Sequence, residues 1–472
     1  MRVHLSAIAG TAMASLAGLL RERGHEVTGS DQDIYPPMST QLEELGIPVR
    51  SPYAEENVPA DAELVVIGNA LSRGNPEVEI VLDRKQRMAS LPQVLGEEII
   101  RGHESLVVAG THGKTTTTSI LAFLLDQAGL DPSFLIGGVP VDFARSYRIG
   151  GGKHFVVEGD EYDSAFFDKR PKFLHYLPDI AVIGNLEFDH ADIYPDLAAV
   201  QLAFLRLIQL IPRRGLLVAG VESAPLREIL PRALCRVETF ALGAAEADWR
   251  GEEAGPAPGG GWRFRLHHGG QDVGEYRVQL PGEHNVRNAI AAVAMANAVG
   301  VTPEKTRDIL PRFRGVKRRL EVKGQARGVI VYDDFAHHPT AVRETLHALH
   351  MASTGAGRLF AVFEPRSYTS RTRVFQQDFA VAFEGADAVI VAAAHLPGKV
   401  PEGQRLSEND LVHAMQAHGQ DARFIGPVDA IVAHLARELR EGDRVVILSN
   451  GGFGGIHGKL LTALGAPVGL SQ

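Results

Sequence analysis

The chain has 472 residues, 45% of them hydrophobic and 22% charged, and a formal net charge of −9. Its length predicts roughly three domains of about 150 residues, its composition excludes a chain disordered throughout, and its negative charge argues against general nucleic-acid binding, which needs a basic stripe. One cysteine, Cys235, excludes an internal disulfide and a cysteine-only metal cluster, and fits a reducing compartment.

Val3 to Ala9 reads as a strand turning at Gly10, not as a signal peptide, and no apolar run has membrane-spanning length, so a cytoplasmic protein that does not span a membrane is expected. Thr11 to Arg23 reads as a helix stopped by Gly24, and His25 to Thr28 as a second strand ending in Gly29-Ser30-Asp31. This opens a nucleotide-binding βαβ unit, in which an acidic residue after the second strand accepts hydrogen bonds from ribose hydroxyls. Its glycine fingerprint is incomplete, because Ala7 stands where the first glycine belongs. Leu64 to Gly68 reads as another strand. Ser72, just beyond it, either contacts a phosphate or sugar or caps the helix that follows Pro76.

Ser105 to Leu125, SLVVAGTHGKTTTTSILAFLL, is the most informative stretch. Leu106 to Ala109 is an apolar run suited to a buried parallel strand, and Gly110 to Thr116 turn the chain into a helix bearing Ile120, Leu121, Leu124 and Leu125. A bound phosphate needs backbone N–H groups, close approach and the positive end of a helix dipole; Gly110, Gly113 and the helix start supply them. Lys114 can then reach the β- and γ-phosphates, and the Thr115 hydroxyl can ligate Mg²⁺. The general phosphate-loop formula wants glycine where Val108 stands, whereas the form G-T-x-G-K-T-T fits from Gly110 to Thr116. The plain alternative is a glycine turn with a surface lysine.

Phe155 to Glu158 reads as a strand delivering Glu158 to the carboxyl end of the sheet, where ligands bind in open α/β folds, so Glu158 is the first metal-ligand candidate. Ile180 to Gly184 repeats that geometry and delivers Asn185 to His190; His190 is either a second metal ligand or a polar surface residue. Trp249 to Pro281, glycine-rich at its centre, predicts β-hairpins packed on the central domain. His284, Asn285 and Asn288 open an alanine-rich helix ending at Gly300, where polar groups suit a base edge or simply cap the helix. Gly315 to Glu321 reads as a linker whose Arg318 and Arg319 form a solvated charge run. Strands follow near Val329 to Tyr332, Leu359 to Phe363, Ala388 to Ala392 and Arg444 to Leu448. Arg366 and Arg371, beyond the second of these, with the open Gly451-Gly452 turn after the last, make a candidate peptide-carboxylate site.

GTHGKTTT resembles the ATP loop of the Mur ligases, ATP-dependent amide-forming enzymes of bacterial peptidoglycan metabolism, and similar motifs follow in the family's order along nearly the whole chain. The resemblance implies a three-domain α/β fold: a Rossmann-like UDP-sugar domain over 1–104, a P-loop central ATPase domain over 105–315 and a Rossmann-like peptide-binding domain over 316–472. It implies that Gly110, Thr111, His112, Gly113, Lys114, Thr115 and Thr116 hold ATP, that Glu158 and His190 hold magnesium, and that His284 and Asn288 of the H-N-x-x-N motif meet adenine. Arg319 then clamps the γ-phosphate, Asp334, in a stretch similar to D-Y-A-H-x-P, reaches the ATP ribose, and Gly10, Thr11, Ser30, Asp31 and Ser72 are candidates for UDP-N-acetylmuramate. Several Mur ligases carry a carbamylated lysine after the metal-binding histidine; Ala191 to Ile211 holds no lysine, as in the branch that adds L-alanine.

Tyr35 to Thr40, Gly159 to Phe173 and Glu364 to Thr372 look instead like the branch that joins UDP-N-acetylmuramate to L-alanyl-γ-D-glutamyl-meso-diaminopimelate. That tripeptide ligase, serving peptidoglycan recycling, is the expected activity, and the L-alanine ligase is the alternative. A P-loop nucleotide switch is the alternative of another class, with no use for the first and last domains.

Overall fold

The computed structural model describes all residues except 33, 35–37, 353, 354, 356 and 466–472, and the side chain of 399; Tyr35, Pro36 and Pro37 of one diagnostic stretch therefore lie outside the described residues. Three α/β units follow one another, each built on its own main sheet. In the first, five parallel strands run in the order Val49–Arg50, Glu26–Ser30, Arg2–Ser6, Leu64–Ile67, Met88–Ser90. The helix Thr11–Glu22 packs Leu16, Leu19 and Leu20 onto that sheet and stops where Gly24 turns left-handed at φ +83°.

The central sheet has ten strands. Glu104–Ala109 lies between the parallel strands Ile180–Ile183 and His154–Gly159, and from Ser105 onward every residue of it is buried. Its alternation supplies two cores. Leu106 and Val108 join the helices Lys114–Gln127 and Glu283–Ala298, while Val107 and Ala109 join a core shared with the N-terminal unit that extends from Val3 to Ile229. Ser15 and Ser146 bond across this junction at 2.8 Å.

Trp249 to Pro281 forms the expected hairpins, with Trp249, Trp262 and Tyr276 in the core of the central unit. They also continue its sheet, because Trp249–Pro256 pairs in parallel with Arg236–Leu242 and carries Trp262–His268 and Gln271–Val278 at the edge. The third unit is a six-stranded sheet in which Val329–Asp334, Arg444–Leu448, Leu359–Phe363 and Ala388–Val391 are adjacent and parallel, with a short unforeseen strand, Ala422–Phe424, beyond. Among the described residues no helix is long and apolar enough to cross a membrane.

Glu77 holds the N-terminal sheet to its neighbouring helix. It is fully buried and accepts from the hydroxyls of Ser6 and Ser30 and from Asn57 Nδ2 at 2.9 Å, with His4 Nε2 3.8 Å away. Burial opposes its ionisation, yet His4 and these donors outweigh that and hold its carboxyl down to about 2. Since the folded value lies below the unfolded one of about 4.3, the stabilisation is complete above pH 4.3 and is lost as pH falls toward 2. Glu77→Gln should therefore lower stability by about 2–3 kcal/mol at neutral pH, and the gap in thermal unfolding should shrink as the buffer is taken from pH 7 to pH 3. A gap indifferent to pH would show that charge is not what holds the network.

Candidate functional site

The strand Glu104–Ala109 leaves the sheet at Gly110, and Gly113, at φ +80°, starts the helix Lys114–Gln127. A Cβ at Gly113 would sit 2.3 Å from Asn288 Oδ1, so only glycine lets the loop lie this close to the helix Glu283–Ala298. Asn288 in turn accepts from Thr117 Oγ1 at 3.1 Å and donates to Asn285 at 3.3 Å, while His284 lines the same cavity and burial lowers its pKa. A second clamp holds the loop from below. Thr111 Oγ1 accepts from the Glu187 N–H at 2.9 Å, and the His112 N–H donates to Asn185 Oδ1 at 2.8 Å.

Lys114 Nζ donates to the carbonyl of Gly110 at 2.8 Å and to Glu161 Oε2 at 2.7 Å. The other Glu161 oxygen is 3.1 Å from His190 Nε2, and Tyr194 donates to the Glu161 carbonyl at 2.7 Å. Burial opposes charge on both cations, but Glu161 outweighs it in each case, with Asp160 assisting at Lys114 and Asp189 at His190, so both pKa values are raised. His190 itself sits at φ +55°, a left-handed backbone that a non-glycine residue adopts only when its surroundings impose it; its ring packs 4.0 Å from that of Tyr162. Glu161 escaped the sequence reading, since Gly159 to Asp163 holds three acids and spacing does not say which one turns inward.

Thr115 Oγ1 donates to Glu158 Oε1 at 2.9 Å, and the Gly137 N–H donates to Glu158 Oε2 at 2.8 Å. Burial raises the Glu158 carboxyl pKa against the pull of Lys114. A hydroxyl and a half-buried carboxylate at the phosphate loop, beside a glycine at which a Cβ would lie 2.8 Å from Oε2, form an oxygen donor set suited to a hard divalent cation. The two linker arginines separate. Both stand over the Phe335 ring, at 5.2 and 5.0 Å, but Arg319 brings Nη2 to 3.5 Å from Thr115 Oγ1, whereas Arg318 bonds Asp333 and the carbonyls of Ser449 and Gly451. Asp334 accepts from the N–H groups of Leu320 at 2.7 Å and Ala336 at 2.8 Å, and burial raises its pKa.

These groups line one cavity of about 1250 Å³ that Thr11 and Thr116 also reach. The C-terminal unit closes it through Thr340, whose Oγ1 donates to Glu187 Oε2 at 2.8 Å; His112 Nε2 lies 3.3 Å from the same oxygen, and the His112 and His338 rings are 4.7 Å apart.

The candidate substrate residues are spread more widely. Gly10 and Thr11 are exposed at the helix start, Ala7 before them adopts φ +69°, and Asp31 accepts from the Ala9 N–H and the Tyr53 hydroxyl, each at 2.8 Å. Ser30 is fully buried and committed to Glu77. Ser72 is exposed and does not cap the helix Pro76–Asp83; Asn75 does, accepting from the Glu77 N–H at 3.0 Å. Arg366 lies over Gly451, where a Cβ would come within 1.9 Å of its Nε. Arg371 is buried, its Nη1 donating to the carbonyls of His395 and Leu396 at 3.0 Å.

Three consecutive parts of the chain match family descriptions: residues 2–103 the Mur ligase family catalytic domain, 108–296 the Mur ligase middle domain, and 318–451 the Mur ligase glutamate ligase domain. The UDP-N-acetylmuramate–L-alanyl-γ-D-glutamyl-meso-2,6-diaminoheptandioate ligase of Escherichia coli (strain K12) is 42% identical over 465 residues, 98% of each chain. The UDP-N-acetylmuramate–L-alanine ligase of Geobacter sp. (strain M21) is 36% identical over 467 residues, again 98% of each. The crystal structure of a murein peptide ligase from Psychrobacter arcticus 273-4 superposes with a TM-score of 0.74 at 37% identity, covering 100% of both chains.

Lys114→Ala removes the buried cation while leaving Glu161 bonded to His190 and Tyr194. Substrate-dependent ADP release at saturating ATP should fall by about a hundredfold or more with secondary structure preserved by circular dichroism. Turnover near wild type would place phosphate binding elsewhere.

Proposed function

The chain belongs to the Mur ligase family, and from that premise we propose that it joins UDP-N-acetylmuramate to the tripeptide L-alanyl-γ-D-glutamyl-meso-diaminopimelate, converting ATP to ADP and phosphate. The observation that carries this reading is the 42% identity to an enzyme of that name along 98% of both chains, and the cleft has the chemistry the reaction asks for.

A carboxylate is a poor acyl donor until one of its oxygens is phosphorylated. In the first step a muramate carboxylate oxygen bonds to the γ-phosphorus as the bond from that phosphorus to the β-γ bridging oxygen breaks, releasing ADP. Two anions must meet, so Lys114 and Arg319 neutralise the γ-phosphate oxygens while the Gly110–Thr116 backbone holds the phosphate chain. Glu161 keeps Lys114 charged and aimed. Mg²⁺ would be held by Thr115 and Glu158, with His190 the candidate ligand for a second ion, and supplies further positive charge to the transferring phosphoryl group. His284 and Asn288 take the adenine edge and Asp334 the ribose. In the second step the amine of the peptide's alanine bonds to the acyl carbon, the carbon–oxygen bond to phosphate breaks, and the amine gives up a proton. Thr340 on Glu187 draws the C-terminal unit over the cleft and excludes water from the acyl phosphate.

Gly10, Thr11 and Asp31 at the mouth of the N-terminal unit are the proposed UDP-sugar contacts, with Ser72 at its rim; Ser30 serves from behind through Glu77. Arg366, with its guanidinium less than a third exposed, is the proposed partner of the peptide carboxylates, and Arg371 shapes the loop that presents it. The setting is the cytoplasm and the return of recycled peptide to peptidoglycan synthesis. A second reading, addition of free L-alanine, draws on the 36% identity to an enzyme with that activity.

The two readings differ in charge demand. A tripeptide brings a γ-glutamyl carboxylate and a zwitterionic diaminopimelyl end that L-alanine lacks. The tripeptide should therefore show the higher kcat/KM, and Arg366→Ala should narrow its advantage about ten- to a hundredfold, the worth of one charge-assisted contact. Steady-state kinetics with both amines decides between them: a preference for free alanine selects the second reading.

A further inference from the structure

Among the described residues one set of three histidine, cysteine or acidic side chains converges as metal ligands do: His112 of the phosphate loop, Glu187 after the strand Ile180–Ile183, and His338 before the helix Pro339–Met351, with one donor atom from each within 4.8 Å of the others. It is separate from the Thr115–Glu158 pair, and the reaction described above uses none of the three as a metal ligand. Two of its donors are already spaced for coordination. Tetrahedral ligands at about 2.1 Å from an ion stand about 3.4 Å apart; His112 Nε2 and Glu187 Oε2 are 3.3 Å apart, and His338 Nδ1 is 4.0 Å from the same oxygen.

A second observation points the same way. His338 is 5% exposed, and its Nε2 has no hydrogen-bond partner. Its Nδ1 accepts only a long bond, 3.3 Å, from the Thr340 N–H. A buried imidazole so weakly engaged has hydrogen-bonding capacity to spare. Burial and the adjacent His112 push its pKa down to about 4, so the ring is neutral, its one lone pair on Nδ1, the nitrogen nearer Glu187 and held only by that long bond. Burial works against ionisation of Glu187 as well, but His112 and Thr340 outweigh it and hold the carboxyl at about 2, so the third donor is an anion.

We propose that His112, Glu187 and His338 form a binding site for a borderline divalent ion such as Zn²⁺ or Co²⁺, spanning the central and C-terminal units. Two imidazoles and one carboxylate select such ions over Mg²⁺, which prefers oxygen ligands. Three protein ligands leave a fourth position for water or a substrate group. Because His338 comes from the C-terminal unit and the other two from the central one, the complete ligand set exists only when the cleft is closed. Occupancy therefore staples the cleft shut, making the site inhibitory.

Co²⁺ alone, added to the full-length, nucleotide-free protein, tests this through its visible d–d absorption. Wild type should bind one Co²⁺ with an intense low-coordinate band, displaced by Zn²⁺ and not by excess Mg²⁺. His338→Ala and Glu187→Gln should each weaken the titration by roughly tenfold or more, while Glu158→Gln, at the oxygen donor set, should leave it unchanged. Circular dichroism identifies any variant that does not fold, and the other then carries the test. A band that persists in the folded His338 and Glu187 variants overturns the site, as does one lost in Glu158→Gln. The readout does not involve ligase activity, so it stands apart from the choice between tripeptide and alanine.

Discussion

A buried ammonium group must be matched by a carboxylate or it gives up its proton, and the cleft is arranged around that requirement at Lys114. Glu161 meets it with one oxygen and spends the other on His190. The carboxylate in turn needs a fixed backbone, which Tyr194 provides by bonding its carbonyl. Asp160, next in the chain, is turned the other way and matched by Lys172 at 2.7 Å. Carboxylates and cations thus alternate in space around Asp160 and Glu161, with partners from residues 114, 172 and 190. Removing any one leaves a neighbour buried and unmatched, which is the expensive kind of loss.

The junctions between units differ in kind. The N-terminal and central units share a continuous apolar core, in which Leu16 and Leu20 belong to the same cluster as Val107 and Phe204. The C-terminal unit meets the central one across the cleft through polar contacts and ring edges: Thr340 on Glu187, Arg319 near Thr115, His338 beside His112, and Phe188 with Phe375 at 6.0 Å. Polar contacts of this sort exchange readily with water, so parting them costs far less than opening a shared core. The chain crosses between these two units through the Gly315–Leu320 segment, where Gly315, Arg318 and Leu320 all take positive φ.

Much of this was legible in the sequence because strand exits deliver side chains to one edge. Glu158, Asn185 and Lys114 follow apolar runs, and the period-two rule for buried strands was enough to place them. What escaped was partnership. Glu161, Glu187 and Glu77 lie in runs with several acids or on a helix with exposed acids nearby, and the choice of which one turns inward is made by residues far away in the chain: Lys114, Thr340, and His4 with Ser6. The extension of the central sheet by Trp249–Pro256 went unforeseen for a related reason. Alternation announces a strand, but only the parallel pairing of Phe240 with Trp249 decides which sheet it joins.

The shared core has a consequence for synthesis. Its residues run from Val3 to Ile229, so the N-terminal strands leave the ribosome well before the helix Leu197–Leu210 that helps cover the adjoining face of the central sheet. At about 5–20 residues per second, the interval between completing the N-terminal sheet and completing that core is roughly 7 to 28 s. Throughout it Leu95, Ile99 and Ile100, which later meet Phe173 and Phe204 in the same cluster, have no permanent cover. A nascent chain in that state is a client for chaperones, and crowding of ribosomes on one message would bring like surfaces together.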